Sequence, residues 1–180
     1  MSEAHVPPHP PRENLFTGRD VLGILRERGW LAGEASPPQL VFCDRAAALL
    51  GAAREPGHLA ELLELIFCYD AALILQTVEA HAVLARYGAR DVVRQLSLFL
   101  LDPAVLDSDG FKGLVARLKE RLDLRGRDLF HPLRLVLAGR TGEGELDRVI
   151  LLLDEAASLP FAVAVKSNRD RCLEFCSALD

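Results

Sequence analysis

Apolar positions recur along the chain at helical spacing, and the polar residues between them supply start and stop signals. Thr17 and Asp20 have capping-box spacing ahead of Val21, Leu22, Ile24 and Leu25, so a first helix starts there and stops near Gly29. A loop of small residues with Pro37 and Pro38 leads to a second helix, roughly 39–52. Pro56-Gly57 precedes a third segment, which runs from Leu59 to about Tyr69 or on through Ala85. Gly88 is a stop, and a further helix follows over about 91–101. Asp102-Pro103 then resembles an N-cap with a first-turn proline. Beyond a boundary at Asp107–Gly110, Phe111, Leu114, Val115, Leu118 and Leu122 keep helix spacing, as do Leu146, Val149, Ile150 and Leu153. Leu133, Leu135 and Leu137 alternate like a short strand. However, His131-Pro132 before them and Gly139 behind place proline near the first turn and glycine at the end of a short helix, and that reading is favoured. Strands nowhere alternate with helices, so the fold class expected is all-α: a helical bundle, in one domain or in two subdomains sharing a core. The expected divisions are a disordered proline-rich tail over 1–13, a helical subdomain over 14–106 and a C-terminal subdomain over 107–180.

Composition supports the helical reading. Half of the 180 residues are hydrophobic and few are aromatic, so Leu, Ala and Val build the core. The proline-rich start lacks the apolar stretch of a signal peptide, and no apolar run reaches the ~18–20 residues that span a bilayer. The expected location is therefore cytoplasmic, with no membrane partner.

Charge divides the chain unevenly. The total is −5, which argues against nucleic-acid binding over the whole surface, and DNA is not an expected partner. Residues 1–110 carry −6 and residues 141–180 carry −4, whereas 111–140 carry +5 through Lys112, Arg117, Lys119, Arg121, Arg125, Arg127, Arg134 and Arg140. A solvated helix face is the plainer explanation of such a run. Yet it clusters beside two turns, Arg125-Gly126-Arg127 and Gly139-Arg140-Thr141, and turns present guanidinium groups together with free N–H donors, as phosphate contacts require.

Other chemistry has weaker support. Cys172 and Cys176 share a helix face but lack a second ligand pair, so they read as buried thiols; no metal or cofactor is expected. His5 and His9 fall in the tail, and His58 and His81 read as surface or capping residues. Gly139–Gly144 lacks the Gly-Lys-Ser/Thr of a phosphate-binding loop. No nucleophile or paired carboxylate stands out, so the chain is expected not to be an enzyme.

Residues 124–146 read LRGRDLFHPLRLVLAGRTGEGEL. The order of Arg125-Gly126-Arg127, Leu129-Phe130, Pro132-Leu133-Arg134, an apolar run, Gly139 and Leu146 resembles the C-terminal anticodon-binding region of bacterial glutamyl-tRNA synthetases. The close match covers about 45 residues, and a looser helical likeness extends upstream to around Gly29. The resemblance implies an anticodon-binding-domain-like bundle that binds a tRNA anticodon arm. Arg134 and Leu146 would lie against bases, with Arg140 and Thr141 close by. His131 could touch RNA, and Arg125, Arg127 and Lys112 would meet phosphates. The sequence departs from the family at Ala138, where threonine is common; at Glu143-Gly144, where Gly-Pro is common; and at Asp154, where glycine follows the leucine. Past Glu155, a segment containing Pro160 replaces a basic final helix. The synthetase nucleotide-binding motifs are absent. The expected function is thus that of a freestanding synthetase-like domain in translation, assisting or regulating a separate synthetase. The alternative is a protein-interaction module or degenerate paralogue that kept the fold and lost RNA binding.

Overall fold

Capping explains most of the element boundaries in the computed structural model, which describes residues 15–102 and 105–180. The predicted tail, with His5 and His9, and Pro103 lie outside the described residues. Among those described, the chain is all-helical: α1 Gly18–Glu27, α2 Pro37–Leu49, α3 Pro56–Phe67, α4 Ala71–Leu75, α5 Val78–Leu84, α6 Ala89–Phe99, α7 Ser108–Leu122, α8 Arg127–Ala138, α9 Glu145–Ala157 and α10 Asn168–Leu179. The Asp20 carboxylate accepts from both the Thr17 N–H and its hydroxyl, as the capping-box spacing predicts.

Several boundaries differ from the expected ones. Pro37 and Pro38 open α2 behind the Ser36 N-cap instead of ending the loop before it, because first-turn amides need no partner within the helix. The segment after Phe67 does not run on through Ala85. Cys68 is extended, and the Asp70 carboxylate and Thr77 hydroxyl accept from Leu73 N–H and Ala80 N–H, starting two short helices. Pro132 lies inside α8, not near its first turn, since the helix already begins at Arg127.

One continuous cluster of buried residues draws on every helix from α1 to α10. α8 runs through its middle, packed by α5, α6, α9 and α10, while α9 also packs on α2 and α3. Helices on either side of residues 103–110 therefore share a core.

Two features tie the chain's end to its beginning. The segment from 158 to 167, between α9 and α10, crosses back over α2, α3 and the turn that follows α1. Phe161 meets the rings of Phe42 and Phe67 edge-on at 5.4 and 4.9 Å, Gln39 donates to the Pro160 carbonyl, and Ala162 N–H donates to Trp30. Arg171, with no exposed surface, donates to the carbonyls of Ile66, Leu137 and Lys166 and packs over Tyr69 at 4.5 Å. Ile66 and Leu137 stand next to last in α3 and α8, where helix dipoles favour a cation. Burial lowers the Arg171 pKa to about 10, which still leaves it charged at neutral pH.

Asp154, one of the departures noted above, also has structural work. One carboxylate oxygen accepts from Leu106 N–H at 2.8 Å and the other from Asn168 N–H at 2.9 Å. It clips the segment before α7 to the start of α10.

Candidate nucleic-acid interface

The interior of α8 is core: Leu129 and every residue from Pro132 to Ala138 are buried. Only the two ends of the family-like stretch reach the surface.

At the N-terminal end, Asp123 and Gly126 take positive φ angles of 52° and 55°, turning the chain sharply out of α7 and into α8. Arg125 and Arg127 are exposed on either side of Gly126 and form no ion pair among the described residues. Against this turn lies the turn between α5 and α6. Arg86 Nη1 donates to His131 Nδ1 at 3.0 Å. A guanidinium has no acceptor, so Nδ1 must accept and the proton of the neutral ring sits on Nε2. Partial burial, then Arg86, Arg127 and Arg134, lower the His131 pKa, against the opposing pull of Glu143. The imidazole thus stands in positive potential. Asp123 and Asp128 flank the corner and are exposed.

Arg86 was not among the residues singled out from the sequence. It belongs to the acidic part of the chain, and only the fold carries it to His131.

At the other end, Gly139 closes α8 with φ 82°, and the loop 139–144 folds back along the helix. Arg134 holds it there. Nε and Nη2 donate to the two oxygens of Asp147 at 2.7 and 2.9 Å, Nη1 donates to the Gly142 carbonyl at 2.5 Å, and the guanidinium covers Phe130 at 4.8 Å. Arg134 is only 8% exposed, and Leu146, beneath Gly142, is not exposed at all. Thr141 directs both its N–H and its hydroxyl to Oε1 of Glu79 on α5. Arg140 is half-buried and forms no ion pair among the described residues.

Lys112 stands apart. It is exposed in the first turns of α7, paired with Asp109 at 3.6 Å, and ten residues, about 15 Å of helix, from the end of α7 at the corner. Of the eight residues expected to meet RNA, the fold gathers Arg125, Arg127 and His131 at one corner. Arg140 and Thr141 sit on the adjoining loop, Arg134 and Leu146 lie beneath it, and Lys112 is elsewhere. No helix among the described residues is long and apolar enough to cross a membrane, and no group of three or more His, Cys, Asp or Glu there is placed to hold a metal.

No protein-family model matches the chain, and no solved structure matches it either. Two curated proteins do. The chain is 29% identical over 133 residues to glutamate–tRNA ligase 1 of Halorhodospira halophila, a stretch covering 72% of this chain and 26% of that protein. It is 28% identical over 146 residues to the glutamate–tRNA ligase of Exiguobacterium sibiricum, covering 81% of this chain and 29% of that one. The chain spans little more than a quarter of the length of these relatives. Over most of its own length, then, it is similar to part of an aminoacyl-tRNA synthetase.

Proposed function

We propose that the chain binds the anticodon arm of a tRNA, and that the corner where α7 turns into α8 makes the contact. The observation that carries this reading is the pair of exposed guanidiniums, Arg125 and Arg127, which form no ion pair among the described residues and stand beside the Arg86–His131 contact. Together they concentrate positive potential, and the His131 Nε2–H supplies a donor for a base or phosphate. The similarity to glutamate–tRNA ligases supports tRNA as the polyanion. In this reading Arg134 and Leu146 shape the adjoining loop instead of touching bases, and Arg140 borders the RNA. Lys112 contributes only to the wider field.

Filter binding of total tRNA at several salt concentrations tests it. Affinity should fall as salt rises, and Arg125→Ala with Arg127→Ala should weaken binding about tenfold or more and flatten the salt dependence. Absence of binding at low salt, or binding indifferent to both substitutions, overturns the proposal. A second reading, a protein-interaction module, is favoured by one observation: Glu79 already occupies both Thr141 donors in the loop. It predicts a stoichiometric protein partner and no affinity for tRNA.

A further inference from the structure

The corner also presents an exposed aromatic ring, Tyr87. The chain has two tyrosines. Tyr69 is built into the core, its hydroxyl donating to the Val136 carbonyl at 2.5 Å and its ring lying beneath Arg171. Tyr87 is 91% exposed, and its ring makes no hydrogen bond or ring contact among the described residues.

An exposed aromatic residue alone signifies little, because much of any protein surface is apolar. The position of Tyr87 is more informative. It occupies the turn between α5 and α6, and both its neighbours in sequence are anchored to the basic corner. Arg86 donates to His131, and Gly88, at φ 75°, lies so close to Leu124 that a Cβ there would come within 2.7 Å of the leucine side chain. Leu124 is followed directly by Arg125, so the anchored turn and the arginine turn form one surface. The backbone on either side of the ring is held, and the corner it is held against carries Arg86, Arg125 and Arg127, with Asp123 and Asp128 at its flanks.

We propose that Tyr87 is a stacking platform for an unpaired RNA base, whose flanking phosphates meet Arg86, Arg125 and Arg127. The inference rests on the RNA-binding reading above and deepens it. A base has an apolar face and a charged backbone, and the corner offers an apolar face beside exposed arginines. Single-stranded loops are read this way because their bases are free to leave the helix, whereas the bases of a duplex are already stacked on one another. Tyr87 therefore distinguishes looped from fully paired RNA, while the arginines serve both.

The test uses the full chain and two labelled RNAs, a hairpin and a blunt duplex of the same stem sequence, followed by fluorescence anisotropy. Tyr87→Ala should weaken hairpin binding about 5- to 100-fold, the usual effect of removing one stacked aromatic, and leave duplex binding unchanged. Tyr87→Phe should bind like the wild type, since stacking does not need the hydroxyl. The salt dependence of Tyr87→Ala should equal that of the wild type, because no phosphate contact is lost. Thermal unfolding checks that the substitution spares the fold. If the wild type binds the hairpin and Tyr87→Ala binds it equally well, stacking is overturned while RNA binding stands. If the wild type binds neither RNA, both fall. If Tyr87→Ala keeps its RNA affinity but loses a protein partner, the ring belongs to a protein interface and the proposal is overturned.

Discussion

Arg134 and Arg125 lie nine residues apart in the one basic stretch of the chain, and their surroundings give them different work. Arg134 donates to two carboxylate oxygens and a carbonyl and is nearly enclosed; Arg125 projects into solvent. Arg134→Ala leaves Asp147 without its fork and the Gly142 carbonyl without a donor. Because Asp147 keeps some contact with water, the cost should be about 2–3 kcal/mol of unfolding free energy, at the low end for a broken buried pair. Arg125→Ala should change stability by less than about 0.5 kcal/mol. Urea unfolding of the two variants measures this difference directly, and equal stabilities would show that Arg134 does not hold the loop. The residue types in the stretch were legible from the sequence, but their burial was not. A basic side chain on a helix is usually solvated, and here the return of the loop along α8 encloses one of them.

At the scale of the element, α8 shows why part of the site was readable and part was not. Gly139 marked its end correctly, and its apolar run proved to be helical and buried without a break from Pro132 to Ala138. That continuous burial explains the strand-like alternation of leucines: with core on all sides, the pattern has no solvent face to set a helical period. The loop after α8 depends on a residue 62 positions away. Glu79 accepts from both donors of Thr141, a pairing no local pattern could disclose. It has a consequence for RNA binding, since a carboxylate at the edge of the corner repels phosphate and occupies groups that could otherwise receive it. Glu79→Gln removes the charge but keeps an acceptor for Thr141. It should leave stability nearly unchanged and raise tRNA affinity severalfold at low salt, an advantage that shrinks as salt screens the charge. Lower affinity in this variant would mean that the Glu79–Thr141 contact holds the loop in its RNA-binding shape.

Across the whole molecule, the basic corner is assembled from two distant turns, so the run of positive charge along the sequence marks Arg125 and Arg127 but not Arg86. The same limit hid how the C-terminal segment is used. Pro160, in a segment past Glu155 that replaces a basic final helix, signalled only a departure from the family pattern. In the structure, the segment from 158 to 167 returns to α2 and α3 through Phe161, and Arg171, soon after it, joins the ends of α3 and α8. Arg171 forms no ion pair among the described residues; helix-end carbonyls accept its hydrogen bonds, and Glu174 lends a nearby negative charge. Arg171→Met fills similar space but leaves those carbonyls without donors, and at about 1–3 kcal/mol for each unsatisfied group the loss should reach about 3 kcal/mol or more. Because the lost contacts join the two parts of the chain, both should weaken together. Trp30, stacked on Phe67 at 4.8 Å, is the only tryptophan and reports on the first helices, while far-UV circular dichroism reports on all of them. In urea, both signals should show one shared midpoint in the wild type and one shared, lower midpoint in Arg171→Met. A tryptophan midpoint that stays fixed while the dichroism midpoint falls would mean that the first helices fold independently of Arg171, and that the charged tie stabilises only the part of the chain bearing the basic corner.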